Sequence, residues 1–189
     1  MKLFLAMLAV ASAYNCDDCS NNCRWWFQSC YWDKVGCRLY GLPVRVFLDN
    51  ADALCETETV TDDDMAIISA GKNILIEKGY FTESDFQGRT IKICPLLGGG
   101  VTVSAQTMII DDGYRTRSPL EVASIVAHEM YHAVYQYEEL GLNTFSCLYR
   151  SELEMGNGLG RGNAMEDPAY EFQDAVNKCL FEREGCPKN

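Results

Sequence analysis

The sequence predicts an α+β fold in a single domain, with a small antiparallel or mixed sheet. Strand-like runs, helical periodicities and turn signals follow one another in the order strand, helix, strands, helices, which is typical of that class. The 189 residues suit one domain with a core of its own once an N-terminal export segment is removed. A further observation is a long amphipathic helix that carries both histidines of the chain.

The N-terminus has the pattern of a secretory signal peptide. Lys2 precedes an apolar run over residues 3–11, and a small-residue cleavage pattern ends at Ala13. The run is too short to span a bilayer as a helix. We therefore expect residues 1–13 to be removed and residues 14–189 to form one secreted domain with no stable membrane association.

The cysteine count indicates disulfide bonds, because all ten cysteines follow Ala13 and an even number in an exported chain favours pairing. Half of them lie in an aromatic-rich segment, residues 14–40, which we interpret as a disulfide-stapled subdomain. Contact of that segment with a partner is the alternative. A zinc knuckle at Cys16 and Cys19 is disfavoured because a second pair of matching spacing is missing. The remaining cysteines are scattered: Cys55, Cys94, Cys147, Cys179 and Cys186.

The charge balance argues against nucleic acid or an anionic membrane as a partner. The chain has 27 acidic and 16 basic residues, so its field repels polyanions. A solvated acidic surface is the simplest interpretation.

The first predicted elements are a strand from Leu42 to Leu48 and a helix. Thr61 stands where an N-cap belongs, three aspartates at 62–64 follow in the first turn, and residues 65–78 carry apolar side chains at helical spacing before Gly79. The aspartates lack the ligand spacing and glycine of a calcium loop, so we interpret them as complementing the helix dipole.

Two further strand-like runs cover Arg89 to Cys94 and Val101 to Ile110. Between them lies the triple glycine 98–100, which predicts a hairpin loop. It does not have the features of a phosphate cradle, because no Gly-Lys-Ser/Thr follows and no helix opens there.

The next helix has clear limits and one apolar face. Ser118, Pro119 and Glu121 form a capping box with proline at the first helical position, and Gly141 ends the pattern. Helical spacing places the histidines opposite the apolar face, so we expect them to line a cleft. The predicted buried face consists of Val122, Val126, Met130, Ala133, Val134, Tyr137 and Leu140.

The pattern His128-Glu129-x-x-His132 predicts a zinc site on this helix. Histidines four apart lie on one face, so both imidazoles can bind one cation, and the glutamate after the first can take a proton from a zinc-bound water. A catalytic zinc takes three protein ligands, and the sequence has no third histidine. The H-E-x-x-H-x-x-G-x-x-H extension of the metzincins is absent from the sequence after His132, which leaves a carboxylate or a cysteine.

At this point the chain resembles the gluzincins, a branch of the zincin-like metallopeptidases whose third ligand is a glutamate on a later helix. The match consists of the histidine motif and of Asn163-x-x-Glu166-x-x-Ala169. It implies a zincin-like domain and Glu166 as third ligand. Pro168 allows the helix to start at Asp167 instead, with Glu166 just outside it. The rival carboxylates are Glu171, Asp167, Asp174 and Glu152.

The resemblance implies a zinc metalloendopeptidase with one catalytic ion and a protein or peptide substrate. Glu129 would take the proton of the zinc-bound water, and Tyr170 or Tyr149 would stabilise the oxyanion. Part of Val101 to Ile110 would bind extended substrate as an edge strand. The glycine-rich stretch 156–162 would be a mobile rim or a plain loop.

A non-catalytic, disulfide-rich binding protein on the same scaffold is the competing hypothesis. Retention of Glu129 between both histidines favours the enzyme, because a protein that only binds has no chemical need for that base.

Overall fold

The structure of the chain is a computed structural model, and part of the sequence lies outside what it describes. The predicted signal peptide, the cysteine-rich segment and the predicted strand Leu42 to Leu48 fall there. Contacts divide the chain into two units, one comprising Leu48–Glu139 with Pro168–Asn189 and the other including Leu140–Asp167. The described residues are 55, 60–96, 99–154, 157 and 160–187.

Helix α1, Asp62–Glu77, lies in the first unit and confirms the predicted helix. The Thr61 hydroxyl accepts a hydrogen bond from the Asp64 N–H at 3.1 Å, and the Asp64 carboxylate accepts one from the Thr61 N–H at 3.0 Å. This reciprocal cap satisfies two N–H groups that a helix start leaves without partners. A single helical turn, α2, follows at Glu83–Phe86.

Asp64 also forms an ion pair with Arg115, which lies in a 3₁₀ turn at Asp112–Thr116. The Arg115 Nε donates to Asp64 Oδ1 at 2.7 Å, and the carboxyl is only 1% exposed. The hydrogen bond from Arg115 lowers the pKa of Asp64 to about 2, since it stabilises the charged form. The pair therefore ties the start of α1 to the segment after the sheet.

Acid is expected to weaken the fold through Asp64. Its folded pKa lies below the ordinary 3.8, so the ionised group stabilises the fold above that value, and this stabilisation is lost as pH falls toward 2. We expect the unfolding free energy of the wild type to lose about 2 kcal/mol relative to Asp64→Asn between pH 6 and pH 2. Urea unfolding at both pH values measures this. The exposed neighbour Asp63 supplies the control, Asp63→Asn; parallel pH curves for wild type and Asp64→Asn would contradict the prediction.

The sheet has three strands in the order β1-β3-β2, with β1 at Thr90–Cys94, β2 at Gly100–Ser104 and β3 at Thr107–Asp111. Strand β1 pairs with β3 in parallel and β2 pairs with β3 antiparallel, so the sheet is mixed. Within the described part of the chain, β2 is an edge strand.

Two sequence predictions about this sheet were wrong in detail. The run from Val101 to Ile110 is two strands, because the Ser104 hydroxyl accepts hydrogen bonds from the N–H groups of Gln106 and Thr107 at 3.1 Å and closes a tight turn. The connection from β1 to β2 is not a hairpin either, because these two strands are not paired with each other, and Gly100 is the first residue of β2.

Helix α3, Pro119–Tyr131, carries the histidine motif and starts with the predicted capping box of Ser118 and Glu121. It continues through a π-helical segment, His132–Tyr137, into α4, Glu138–Glu154. Gly141 has φ 74° and ψ 158°, a backbone conformation that is costly for other residues, so the helix is interrupted where the sequence predicted its end.

The core of the first unit packs the apolar face of α3 against α1, β1 and β3. The predicted face is largely confirmed, since Val122, Val126, Met130 and Ala133 are fully buried and Tyr137 nearly so. A disulfide between Cys55 and Cys94 attaches the chain before α1 to the end of β1, with Cα atoms 5.7 Å apart. Other members of the core include Leu75, Ile93, Met108, Ile110, Ile125 and Val176.

Helix α5, Asp167–Asn177, belongs almost entirely to the first unit and packs on α3. The Phe172 ring lies 5.4 Å from the Tyr131 ring, and Gln173 Nε2 donates to the Ser124 hydroxyl at 3.1 Å. A second disulfide, Cys179–Cys186, fixes the chain after it. The fold is therefore a mixture of helices and a small mixed sheet with disulfides, which confirms the predicted α+β class.

Candidate metal centre

The two histidines of the motif face each other. His128 lies in the last turn of α3, His132 is its C-terminal cap, and their Nε2 atoms are 3.1 Å apart. Two nitrogens bound to one tetrahedral zinc would be about 3.3 Å apart. The four-residue spacing thus places two imidazoles as neighbouring ligands of one small cation.

The histidines are buried, in contrast to the open cleft that the sequence predicted. His128 is 5% exposed and His132 is 4% exposed. One physical reason is helix α5, because its Tyr170 ring lies 4.5 Å from the His128 ring at an angle of 60°.

Gln136 fixes the second histidine. Its Oε1 lies 2.6 Å from His132 Nδ1, so Nδ1 carries the proton and donates, and Nε2 is left with the lone pair that a metal needs. Gln136 lies in the π-helical segment directly after α3, and π turns inside helices are frequent at functional sites. Sequence reasoning missed this residue, although its position four after His132 on the same helix was a usable signal.

Loss of the Gln136 acceptor is expected to weaken metal binding. Gln136→Met keeps the side-chain size but leaves His132 Nδ1 without this partner, so we expect zinc affinity to fall roughly 10- to 100-fold. Competition with a chromophoric chelator measures it. Gln136→Glu, which retains an acceptor, should bind zinc at least as tightly as the wild type; equal affinity of the methionine variant and the wild type would contradict the role.

Glu166 lies directly before α5. This helix starts at Asp167 with Pro168 as its second residue, which is the alternative start that the sequence allowed. Its backbone N–H donates to the Asn163 carbonyl at 2.9 Å, and its side chain is 7% exposed. Glu166 is therefore a buried carboxylate just outside the helix, as the start of that helix at Asp167 implies.

Tyr149 holds the Glu166 carboxylate. Its hydroxyl donates to Glu166 Oε1 at 2.5 Å, and both groups are buried. The short distance is that of a charge-assisted hydrogen bond, which fixes one carboxylate oxygen.

The rival carboxylates have other positions. Glu152 is buried and accepts hydrogen bonds from the Ala164 N–H at 2.9 Å and Asn157 Nδ2 at 2.7 Å, so it holds the chain that leads to Glu166. Asp167 accepts one from the Gly162 N–H at 2.7 Å. Glu171 and Asp174 are exposed on α5.

Glu129 points toward strand β2. It is 3% exposed, and its Oε2 accepts a hydrogen bond from the Thr102 hydroxyl at 2.7 Å. The hydroxyl of Tyr137 donates to the Thr102 carbonyl at 3.0 Å. Burial and the nearby charge of Glu129 raise the pKa of Tyr137, so this tyrosine remains protonated and keeps donating.

The donor set suits zinc. Two neutral imidazoles and one carboxylate form the ligand combination of many catalytic zinc sites, and here the side chains of His128, His132 and Glu166 are all buried. Each of these candidate ligands has a contact that orients it: the Tyr170 ring beside His128, Gln136 on His132 and Tyr149 on Glu166.

Comparison with known proteins finds no family model that matches this chain and no curated protein or solved structure that is similar to it. Among the described helices, none is both long and apolar enough to cross a membrane.

Proposed function

We propose that this protein is a secreted zinc metalloendopeptidase of the gluzincin type. The observation that carries the proposal is the pair of His128 and His132, whose Nε2 atoms face each other at 3.1 Å, with Glu129 between them on the same helix. Glu166 is the proposed third ligand, because the resemblance implies it and its carboxylate is buried. Its partners are proteins or peptides.

The ligands would be His128 Nε2, His132 Nε2 and a carboxylate oxygen of Glu166. When bound, zinc would polarise the peptide carbonyl and lower the pKa of a water to about 7. Gln136 keeps the proton of His132 on Nδ1, and Tyr149 keeps the Glu166 carboxylate in one orientation. These contacts reduce the rearrangement needed when the metal binds.

Glu129 acts as the proton carrier. Its carboxylate accepts a proton from the attacking water and delivers it to the leaving amine nitrogen as the carbon–nitrogen bond breaks. Both transfers need a carboxylate held in one position, and the hydrogen bond from Thr102 supplies that support.

The oxyanion donor in this proposal is Tyr170. Its ring lies 4.5 Å from the ring of His128, which is a proposed ligand. Tyr149, the other predicted donor, already donates to Glu166, and this favours orientation of the ligand over contact with substrate. Edge strand β2 is the proposed binding surface for extended substrate.

The burial of the site favours a second candidate function. All four residues of the centre are less than 8% exposed, and closed metal sites are commonly structural. A secreted binding protein in which the metal only stabilises the fold is therefore the competing proposal.

Metal removal tests the proposal and separates the two functions. We expect the mature protein to contain one zinc per chain and to hydrolyse casein or an unstructured peptide, and a chelator should abolish both zinc content and hydrolysis. Readdition of zinc should restore hydrolysis. Bound zinc that stabilises the fold without any hydrolysis would support the structural role instead, and no bound zinc would exclude both.

A further inference from the structure

Strand β2 contacts the proposed catalytic glutamate through one side chain. The Thr102 hydroxyl lies 2.7 Å from Glu129 Oε2 and 2.9 Å from the Glu129 carbonyl oxygen. A hydroxyl carries one proton, and it goes to the charged oxygen because hydrogen bonds to charged groups are the stronger ones. The contact is buried at both ends.

Thr102 is itself held in place. Its carbonyl accepts a hydrogen bond from the Tyr137 hydroxyl, and Thr102 itself pairs with Met108 of β3. A β-branched side chain also has few rotamers available. The position of its hydroxyl is therefore set by the sheet and by the helical segment after the histidines.

Gly100, two residues earlier on the same face of β2, allows the glutamate to approach the strand. A Cβ atom added at Gly100 would lie 2.6 Å from Glu129 Oε1 and 2.9 Å from its Cδ. Gly100 is not among the glycines with positive φ. The backbone conformation at Gly100 would therefore tolerate alanine, but the alanine side chain would clash with Glu129.

We propose that Thr102 is the positioning residue of Glu129 and that Gly100 is required beside it, because a side chain there would displace the carboxylate. Strand β2 thereby sets the orientation of the base as well as forming the edge of the sheet. This inference rests on the proposed function for its catalytic consequence. Misplacement of a reacting group by about 1 Å can cost on the order of 100-fold in rate.

The kinetic test compares Thr102→Val, Thr102→Ser and Gly100→Ala with the wild type. We expect kcat to fall roughly 10- to 100-fold in the valine and alanine variants, with KM and zinc affinity unchanged, since neither residue is a proposed metal ligand. Serine keeps the hydroxyl and should restore most of kcat. Thr107→Val on β3 is the matched control for threonine replacement in a strand.

A second measurement needs neither metal nor activity. A double-mutant cycle of Thr102→Val and Glu129→Met in the metal-free protein reports the contact through urea unfolding. We expect a coupling of roughly ten-fold in the unfolding equilibrium constant, the value of a hydrogen bond to a charged group.

The outcomes separate the inference from the proposed function. An active wild type with variants that match it in kcat, or the absence of coupling in the cycle, would overturn the positioning role alone. Coupling in the cycle together with an inactive wild type would overturn the proposed function and, with it, the catalytic consequence drawn here. Coupling together with a lowered kcat supports both.

Discussion

Glu129→Gln is expected to lower kcat/KM for peptide hydrolysis by roughly 10²- to 10⁴-fold while zinc remains bound. Glutamine has nearly the shape of glutamate but cannot accept the proton of the attacking water. The proposed ligands His128, His132 and Glu166 are unchanged by this substitution, so we expect metal binding to persist. Hydrolysis of a fluorogenic peptide and zinc content of the same sample measure the two properties separately.

The chain offers a matched control for this substitution. Glu139 lies in α4 a short distance beyond the motif and is exposed, so Glu139→Gln removes the same charge without touching the centre. We expect its activity to equal that of the wild type. Equal loss of activity in both variants would point to net charge or stability as the cause, and unchanged activity in Glu129→Gln would rule out Glu129 as the base.

Glu166→Gln is expected to lower zinc affinity by on the order of 100-fold or more, because an amide oxygen is a poor zinc ligand compared with a carboxylate. Glutamine can still accept the hydrogen bond from Tyr149, so the fold around it should remain. Chelator competition measures the affinity, and urea unfolding of the metal-free protein checks the fold.

Two rival carboxylates supply the controls for Glu166. Glu171→Gln and Asp174→Asn change exposed residues of α5, and we expect zinc affinity to be unchanged. If one of them lowers the affinity while Glu166→Gln does not, the third ligand is that residue. Glu152 is less suitable as a control, since its carboxylate accepts hydrogen bonds from Asn157 and from the Ala164 N–H.

The helices could be predicted well because their signals are local. A capping box at Thr61 and another at Ser118 mark the starts of α1 and α3, and Gly141 marks the break that follows the motif. Each signal acts within a few residues of chain, through hydrogen bonds to the first turn or through a backbone angle that glycine accepts.

The sheet was harder to predict because strand pairing is not local. The parallel pairing of β1 with β3 joins Thr90 to Thr107, and nothing in either run specifies that partner over β2. The turn that divides the predicted strand from Val101 to Ile110 depends on the side chain of Ser104. The pattern of apolar residues in this run does not indicate such a turn.

The proposed ligands and the residues that support them also differ in how far the sequence predicts them. His128 and His132 are fixed by spacing on one helix, which sequence shows directly. Glu166 was chosen from a resemblance, and its role as a ligand stays a prediction. Thr102 could not be selected from its surroundings in the sequence, because its role comes from the partner that it contacts. Tyr149 was selected for the oxyanion, and its hydrogen bond to Glu166 is visible only in the structure. Gln136 had a usable signal, its position four residues after His132.

The sequence by itself determined the α+β class, the limits of the motif helix and the two imidazoles on its face, since all of these follow from helical geometry over a few turns. Only the tertiary structure decided which oxygen lies against which donor. Glu129 meets β2 because that edge strand has a glycine at position 100 and a hydroxyl at Thr102, and this contact joins residues 27 positions apart. Such a contact depends on how a helix and a strand pack against each other, and the residue periodicity within each element does not specify that packing.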